Sequence, residues 1–207
     1  MVIITDSIFL KKQKYQLLKK NLPENIVKSL KNIYFPIKYK HYSKGDYLLV
    51  QKLEKLLLRQ LRNGSFNRYD LIVIYMAIEQ FYSKNDFGFS LYEKMQKKRM
   101  EYRGDKNDRH NTIDEFIGLL NNIEKNGFDY QSVITIDKNQ QLCDGAHRFS
   151  SAIYFKIPVI SVKVLREKSV IVYGINWFKK YQFNTEELEM IKRKKDEIFL
   201  RYRIENN

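Results

Sequence analysis

The sequence predicts an α+β protein: a small mixed sheet, preceded by a large helical extension and followed by a C-terminal helix. Two observations carry this. Apolar residues recur at helical spacing up to about residue 125 and again from residue 174, while between them the pattern changes to short β-branched runs separated by turns. The 207 residues are 43% hydrophobic and 14% aromatic with only 3 Pro and 8 Gly, which is enough apolar material for a real core and excludes disorder, collagen-like repeats and rods.

In chain order, residues 8–21, 24–33 and 46–62 read as helices. The last, DYLLVQKLEKLLLRQLR, repeats Leu49, Leu53, Leu56, Leu57 and Leu61 at helical spacing and stops at Asn63-Gly64. It reads as an amphipathic packing helix in preference to a calmodulin-like or membrane-surface segment. Residues 68–83 form a more apolar, buried helix, and residues 90–101 another after the Asp86-Phe87-Gly88 turn. A polar loop spans 102–111. Thr112 and Glu115 then form a capping box for a helix through Lys125, closed by Asn126-Gly127. Strands follow at 132–137, 141–143 and 158–164, with a turn at Lys138-Asn139-Gln140 and a helix opening at Asp144-Gly145. Helices at 174–182 and 185–203 complete the pattern. Composition marks no linker; a division near Gly64 or Ser65 separates a basic helical region, 1–64, from a second domain, 65–207.

The net charge is +14, which ordinarily points to nucleic acid or another anionic surface. The basic residues, however, are 27 Lys and only 11 Arg, and phosphate-reading sites favour the bidentate fork of Arg. The charge is also uneven: residues 1–62 carry +10, residues 63–165 carry +1 and residues 166–207 carry +3. Any electrostatic docking surface, for a partner enzyme or for nucleic acid, therefore belongs to the N-terminal third. The start of the chain shows no signal-peptide pattern, no stretch nears the roughly 18 apolar residues of a membrane span, and Cys143 is the single cysteine, so a cytoplasmic home is expected.

The chemistry concentrates at Asp144-Gly145-Ala146-His147-Arg148. A Gly at a helix start admits close approach to the backbone, and the unpaired first-turn N–H groups with the helix dipole favour an anion there. Arg148 adds a bidentate charge. His147 can donate to a phosphate oxygen or move a proton near neutral pH, and Asp144 can hold a cation or accept a hydroxyl proton. Together these residues read as a phosphate site.

The run ITIDKNQQLCDGAHRFSSAIYFKIPVISVKV resembles the core of the ParB/sulfiredoxin fold, in which a helix leads into a strand and a Gly-x-His-Arg-type motif opens the next helix and binds nucleotide phosphates. The resemblance covers about residues 95–165. Sulfiredoxins place a reacting Cys between Gly and His, where this chain has Ala146. Partition ParB proteins end the motif in two Arg, bind CTP and continue into a helix-turn-helix, whereas here His147-Arg148 is followed by one long charged helix. The motif is most similar to that of the free serine kinases, from which Ala146 is the one clear departure.

That resemblance implies an ATP- or ADP-dependent phosphotransferase acting on a small hydroxylated or sugar substrate, with Mg²⁺ as cofactor and a link to surface-polysaccharide biosynthesis by analogy. The amides of Gly145, Ala146 and His147 with Arg148 would hold phosphates, Asp144 would bind Mg²⁺ or orient the acceptor, and Glu101 or Asp105 would take the proton. Arg99 and Arg103 lie where relatives place a phosphate-facing Arg. The alternatives are a nucleotide-gated DNA-binding or regulatory protein, and a ParB-like nuclease.

Each residue also has a plainer use. Asp144-Gly145 could be a tight turn with Asp as N-cap. Cys143 reads as a small buried strand residue, Trp177 and the Tyr- and Phe-rich helices as core, and His41 and His110 as surface residues. Arg103, Asp105, Asp108 and Arg109 could be solvated loop charges. Glu79, between Ile78 and Phe81, is either buried and paired or faces the site.

Overall fold

The structure, a computed structural model, describes residues 47–61, 68–83, 88–103, 113–129, 133–166 and 173–202, with the backbone alone at 47–49 and 103. The expected helices at 8–21 and 24–33, and Thr112, Asp105, Asp108, Arg109, His41 and His110, lie outside the described residues.

Among the described residues, seven helices surround one four-stranded sheet, so the α+β class is observed and the sheet is mixed. The strands are β1 (Tyr47–Lys52), β2 (Ile134–Ile136), β3 (Leu142–Asp144) and β4 (Val159–Val164), in the order β1-β4-β2-β3. β1 pairs antiparallel with β4, β4 parallel with β2, and β2 antiparallel with β3. The helices are α1 (Leu53–Leu61), α2 (Tyr69–Ser83), α3 (Gly88–Arg103), α4 (Ile113–Asn126), α5 (Ala146–Tyr154), α6 (Ile175–Lys180) and α7 (Thr185–Arg201).

One expectation is corrected here. Within the segment 46–62, expected to be one helix, the described residues Tyr47 to Leu61 form a strand followed by a helix: Tyr47 to Lys52 pair residue by residue with Val164 back to Val159. The Leu repeat does describe α1, whose Leu53, Leu56, Leu57 and Leu61 are all buried. Leu49 shares their spacing, yet its backbone joins the sheet, paired with Val162 of β4. β1 and α1 precede Gly64-Ser65, and they share the sheet and the hydrophobic core with the elements that follow.

The core is organised around α2. Its residues Tyr69 to Ile78 are buried without interruption, as an all-round apolar helix must be, and it packs against α3, α5 and α7. Gly88 lets α3 start against it: a Cβ there would lie 2.1 Å from the Met76 carbonyl oxygen. α7 opens with a capping box in which Asn184 accepts from the Glu187 amide and Glu187 accepts from the Asn184 amide. It is held at its far end by Arg201 on the Tyr75 hydroxyl and by the Tyr202 hydroxyl donating to Ile153 O at 2.6 Å. β4 is buried on both faces, as Val159, Ile160, Ser161 and Val162 show.

The β2–β3 hairpin is fixed from two sides. Asp137 Oδ1 accepts from the amides of Asn139 and Gln141, and Gln140 takes a positive φ of 67° in that turn. Gln60, on α1 and fully buried, donates to Gln140 O and accepts from Leu142 N. No helix among the described residues is long and apolar enough to cross a membrane.

Candidate functional site

β3 ends at Asp144 and α5 begins at Ala146, so the intervening Gly145 makes the strand-to-helix corner. Its φ is +87°, the left-handed region, and any Cβ there would stand 2.7 Å from Ile134 Cγ2 on β2. The fold alone therefore demands glycine at this point. Gly145 is also the N-cap, and no side chain caps the first turn. Asp144 does not serve as the cap: its side chain is 73% exposed, with one carboxylate oxygen 3.5 Å from Arg148 Nη2. The helix start thus carries its positive dipole end without an internal carboxylate on it.

Arg148 is anchored at one nitrogen and open at another. Nη1 donates to Val133 O at 2.7 Å, Nη2 makes only the loose contact to Asp144, and the side chain remains 31% exposed. The structure therefore brings Asp144, Gly145, Ala146, His147 and Arg148 together with an exposed carboxylate and a partly exposed guanidinium at one helix terminus.

His147 turns inward. Its Nε2 lies 2.8 Å from the Tyr92 hydroxyl, which itself accepts from Gln96 Nε2 at 2.8 Å, and its ring packs 4.9 Å from Phe116. Burial pushes the imidazole down to about 4, helped by the Arg99 charge and, less, by Arg148, against the opposing pull of Asp70 and Asp144. His147 is consequently neutral at pH 7. The expected role of moving a proton near neutral pH does not suit it; it is a neutral hydrogen-bonding group that pins α5 to α3.

α3 contributes the second wall. Tyr92, Gln96 and Arg99 lie along one face at successive turns. The Arg99 guanidinium stacks 4.5 Å from the Tyr173 ring centroid, and its Nε and Nη1 are buried with no hydrogen-bond partner. Arg68 approaches the same ring at 5.8 Å but is fully engaged: Nε and Nη2 grip Asp70 at 2.7 and 2.6 Å, and Nη1 donates to Leu142 O. Glu101, one of the two bases expected from sequence, sits elsewhere. It is exposed on the other side of α3, its carboxylate 2.9 Å from Lys98 Nζ. Arg103 closes α3 and is described by its backbone only; Asp105 lies outside the described residues.

Of the other residues, Glu79 is paired with Lys194 at 2.7 Å, Trp177 is core at 5% exposure, and Cys143 is partly buried with its Sγ 3.4 Å from Gln141 O. Sequence reasoning missed Arg68, Asp70, Tyr92 and Gln96. A usable signal existed for the last two, since polar residues at 92, 96 and 99 fall on one helical face. None existed for the Arg68–Asp70 pair, whose meaning comes from burial. Comparison of the chain with protein-family models, with curated proteins and with solved structures finds no match.

Proposed function

We propose that this chain is a nucleotide-dependent phosphotransferase of the ParB/sulfiredoxin-like fold, acting on the hydroxyl of a small molecule or sugar. The observation that carries the reading is the uncapped, glycine-opened start of α5, flanked by the exposed Asp144 carboxylate and the partly exposed Arg148 guanidinium. The order α4, β2, β3, glycine, α5, β4 agrees with the arrangement the resemblance implies.

In this reading the first-turn amides and Arg148 hold the terminal phosphates, and positioning with charge neutralisation supplies most of the catalysis. The acceptor oxygen attacks the terminal phosphorus, the bond to the bridging oxygen breaks, and the nucleotide leaves with that oxygen. The acceptor proton passes to a carboxylate, for which Asp144 stands at the site and Asp105 follows α3. Among the described residues no group of three His, Cys, Asp or Glu could enclose a metal. Mg²⁺ in such reactions is held by one or two carboxylates together with phosphate oxygens, and Asp144 fits that requirement. There it would supply neutralisation of phosphate charge.

A thermal-shift panel of ATP, ADP, CTP and GTP, each with and without Mg²⁺, tests the proposal. A ligand at about 100 times its Kd adds roughly 2.7 kcal/mol of stability, so a Mg²⁺-dependent shift with ATP or ADP is expected and should vanish in Arg148→Ala. Asp144→Asn should keep a nucleotide shift through Arg148 and the first-turn amides, but lose its Mg²⁺ dependence together with turnover. A CTP-selective shift without turnover would instead favour the nucleotide-gated DNA-binding reading, and no shift with any nucleotide would refute the phosphate site.

A further inference from the structure

We propose that Arg99 and Trp177 form a binding site for a carboxylate, a reading that does not rest on the phosphotransfer proposal. Among the described residues the region holds buried donors that meet no acceptor. Arg99 Nε and Nη1 and the indole Nε1 of Trp177 are all buried without a hydrogen-bond partner. Both side chains are built onto one ring: the guanidinium carbon lies 4.5 Å from the Tyr173 centroid, and the indole meets it edge-on at 5.1 Å. Trp177 is 5% exposed and Tyr173 8%, so water does not readily satisfy these groups. Arg99 as a whole is only partly buried, so part of the residue reaches the surface even though Nε and Nη1 do not.

Charge and shape select the ligand class. Arg68, the other guanidinium on the Tyr173 ring, is neutralised by Asp70 at 2.6 Å. Among the described residues the Arg99 guanidinium is the buried charge at these rings without an ion-pair partner; Lys180, 5.7 Å from the Tyr181 centroid, is exposed to solvent. In an aromatic, poorly hydrated setting a single charge is matched by a monoanion, whereas a phosphate dianion would leave an unpaired negative charge behind. The planar fork of Arg also matches a carboxylate through two parallel hydrogen bonds. The surrounding rings extend the argument: Tyr181 lies 4.7 Å from Trp177, and Tyr102 lies 5.9 Å from Tyr181 and 6.4 Å from Tyr173. They offer faces and edges to an apolar or aromatic body attached to the carboxylate.

Trp177 is the single tryptophan of the chain, so its fluorescence and its indole N–H resonance each report on this site alone. The full chain is titrated with benzoate, with acetate and with inorganic phosphate at matched ionic strength. Benzoate, and acetate more weakly, should move the indole N–H resonance saturably downfield, while phosphate should not saturate it. Arg99→Met should weaken benzoate binding at least about tenfold while unfolding at an unchanged or higher temperature, because it removes a charge that has no internal partner. Should that variant not fold, Trp177→Phe keeps an aromatic ring and removes the N–H, and a several-fold loss of benzoate affinity is expected by calorimetry. Arg148→Ala should leave the benzoate titration untouched. The proposal is overturned if benzoate gives no saturable response, if phosphate displaces the indole resonance as well as benzoate does, if Arg99→Met binds benzoate like the parent, or if Arg148→Ala abolishes the response.

Discussion

Acidification should destabilise this fold through His147, and the structure sets the size of the effect. Burial, reinforced by the Arg99 charge, holds the imidazole at about 4, whereas in the unfolded chain it titrates near 6.5. Between those two values the unfolded chain binds more protons than the folded one, so stability rises with pH across the window. The contribution is full above about pH 6.5 and is lost as the pH falls toward 4. A difference of this size corresponds to roughly 3 kcal/mol in total, of which about 2.5 kcal/mol should be gone by about pH 4.5. Carboxylates titrate near the lower end of the window, so the informative quantity is the difference between the parent and His147→Gln. Urea denaturation of both at about pH 7.5, 6.5, 5.5 and 4.5 measures it. The parent should lose stability relative to the variant as the pH drops. A difference that stays flat across the series would refute the account, because it would mean that His147 is neither desolvated by Tyr92 and Phe116 nor exposed to the Arg99 charge in the folded state.

Three further outcomes follow from the same geometry. Gly145→Ala forces a left-handed residue with its Cβ 2.7 Å from Ile134 Cγ2, and should cost at least about 2 kcal/mol by chemical denaturation, with nucleotide binding lost alongside if α5 is displaced. Arg68→Met leaves Asp70 buried and unpaired and strips a donor from Leu142 O; it should cost about 3–5 kcal/mol, most of it recovered in the double variant Arg68→Met/Asp70→Leu. Glu101→Gln disturbs only an exposed pair with Lys98, so stability should change by less than about 0.5 kcal/mol and turnover should persist; a loss of turnover would restore Glu101 as the base.

Much of the candidate site was legible before folding. Asp144 to Arg148 read as a polar, glycine-opened helix start, and the chain places them so. What the sequence could not convey was which way each side chain turns. His147 points into an aromatic wall and becomes neutral, because its depth is set by α3 and α4, elements that start many residues earlier. Glu101 is two residues from Arg99, which on a helix carries it about 200° around the axis and out of the site. The position of Arg99 against Tyr173, a ring from the far end of the chain, and its lack of a hydrogen-bond partner could not be read from its neighbours in sequence.

Local sequence determined the elements whose signals are short-range. The turn of the β2–β3 hairpin and the Asn184 cap of α7 rest on contacts within a few residues, and the apolar run of α2 is visible in its composition, so residue identity marks these elements. Tertiary structure alone decided β1, whose residues suit a helix as well as a strand until the edge of β4 supplies a ladder more than a hundred positions away. It alone decided that Arg68 is neutralised while Arg99 is not. Local patterning fixes backbone conformation because those energies are paid out within a turn or two; pairing, burial and charge balance are sums over distant neighbours, and only the folded chain assembles them.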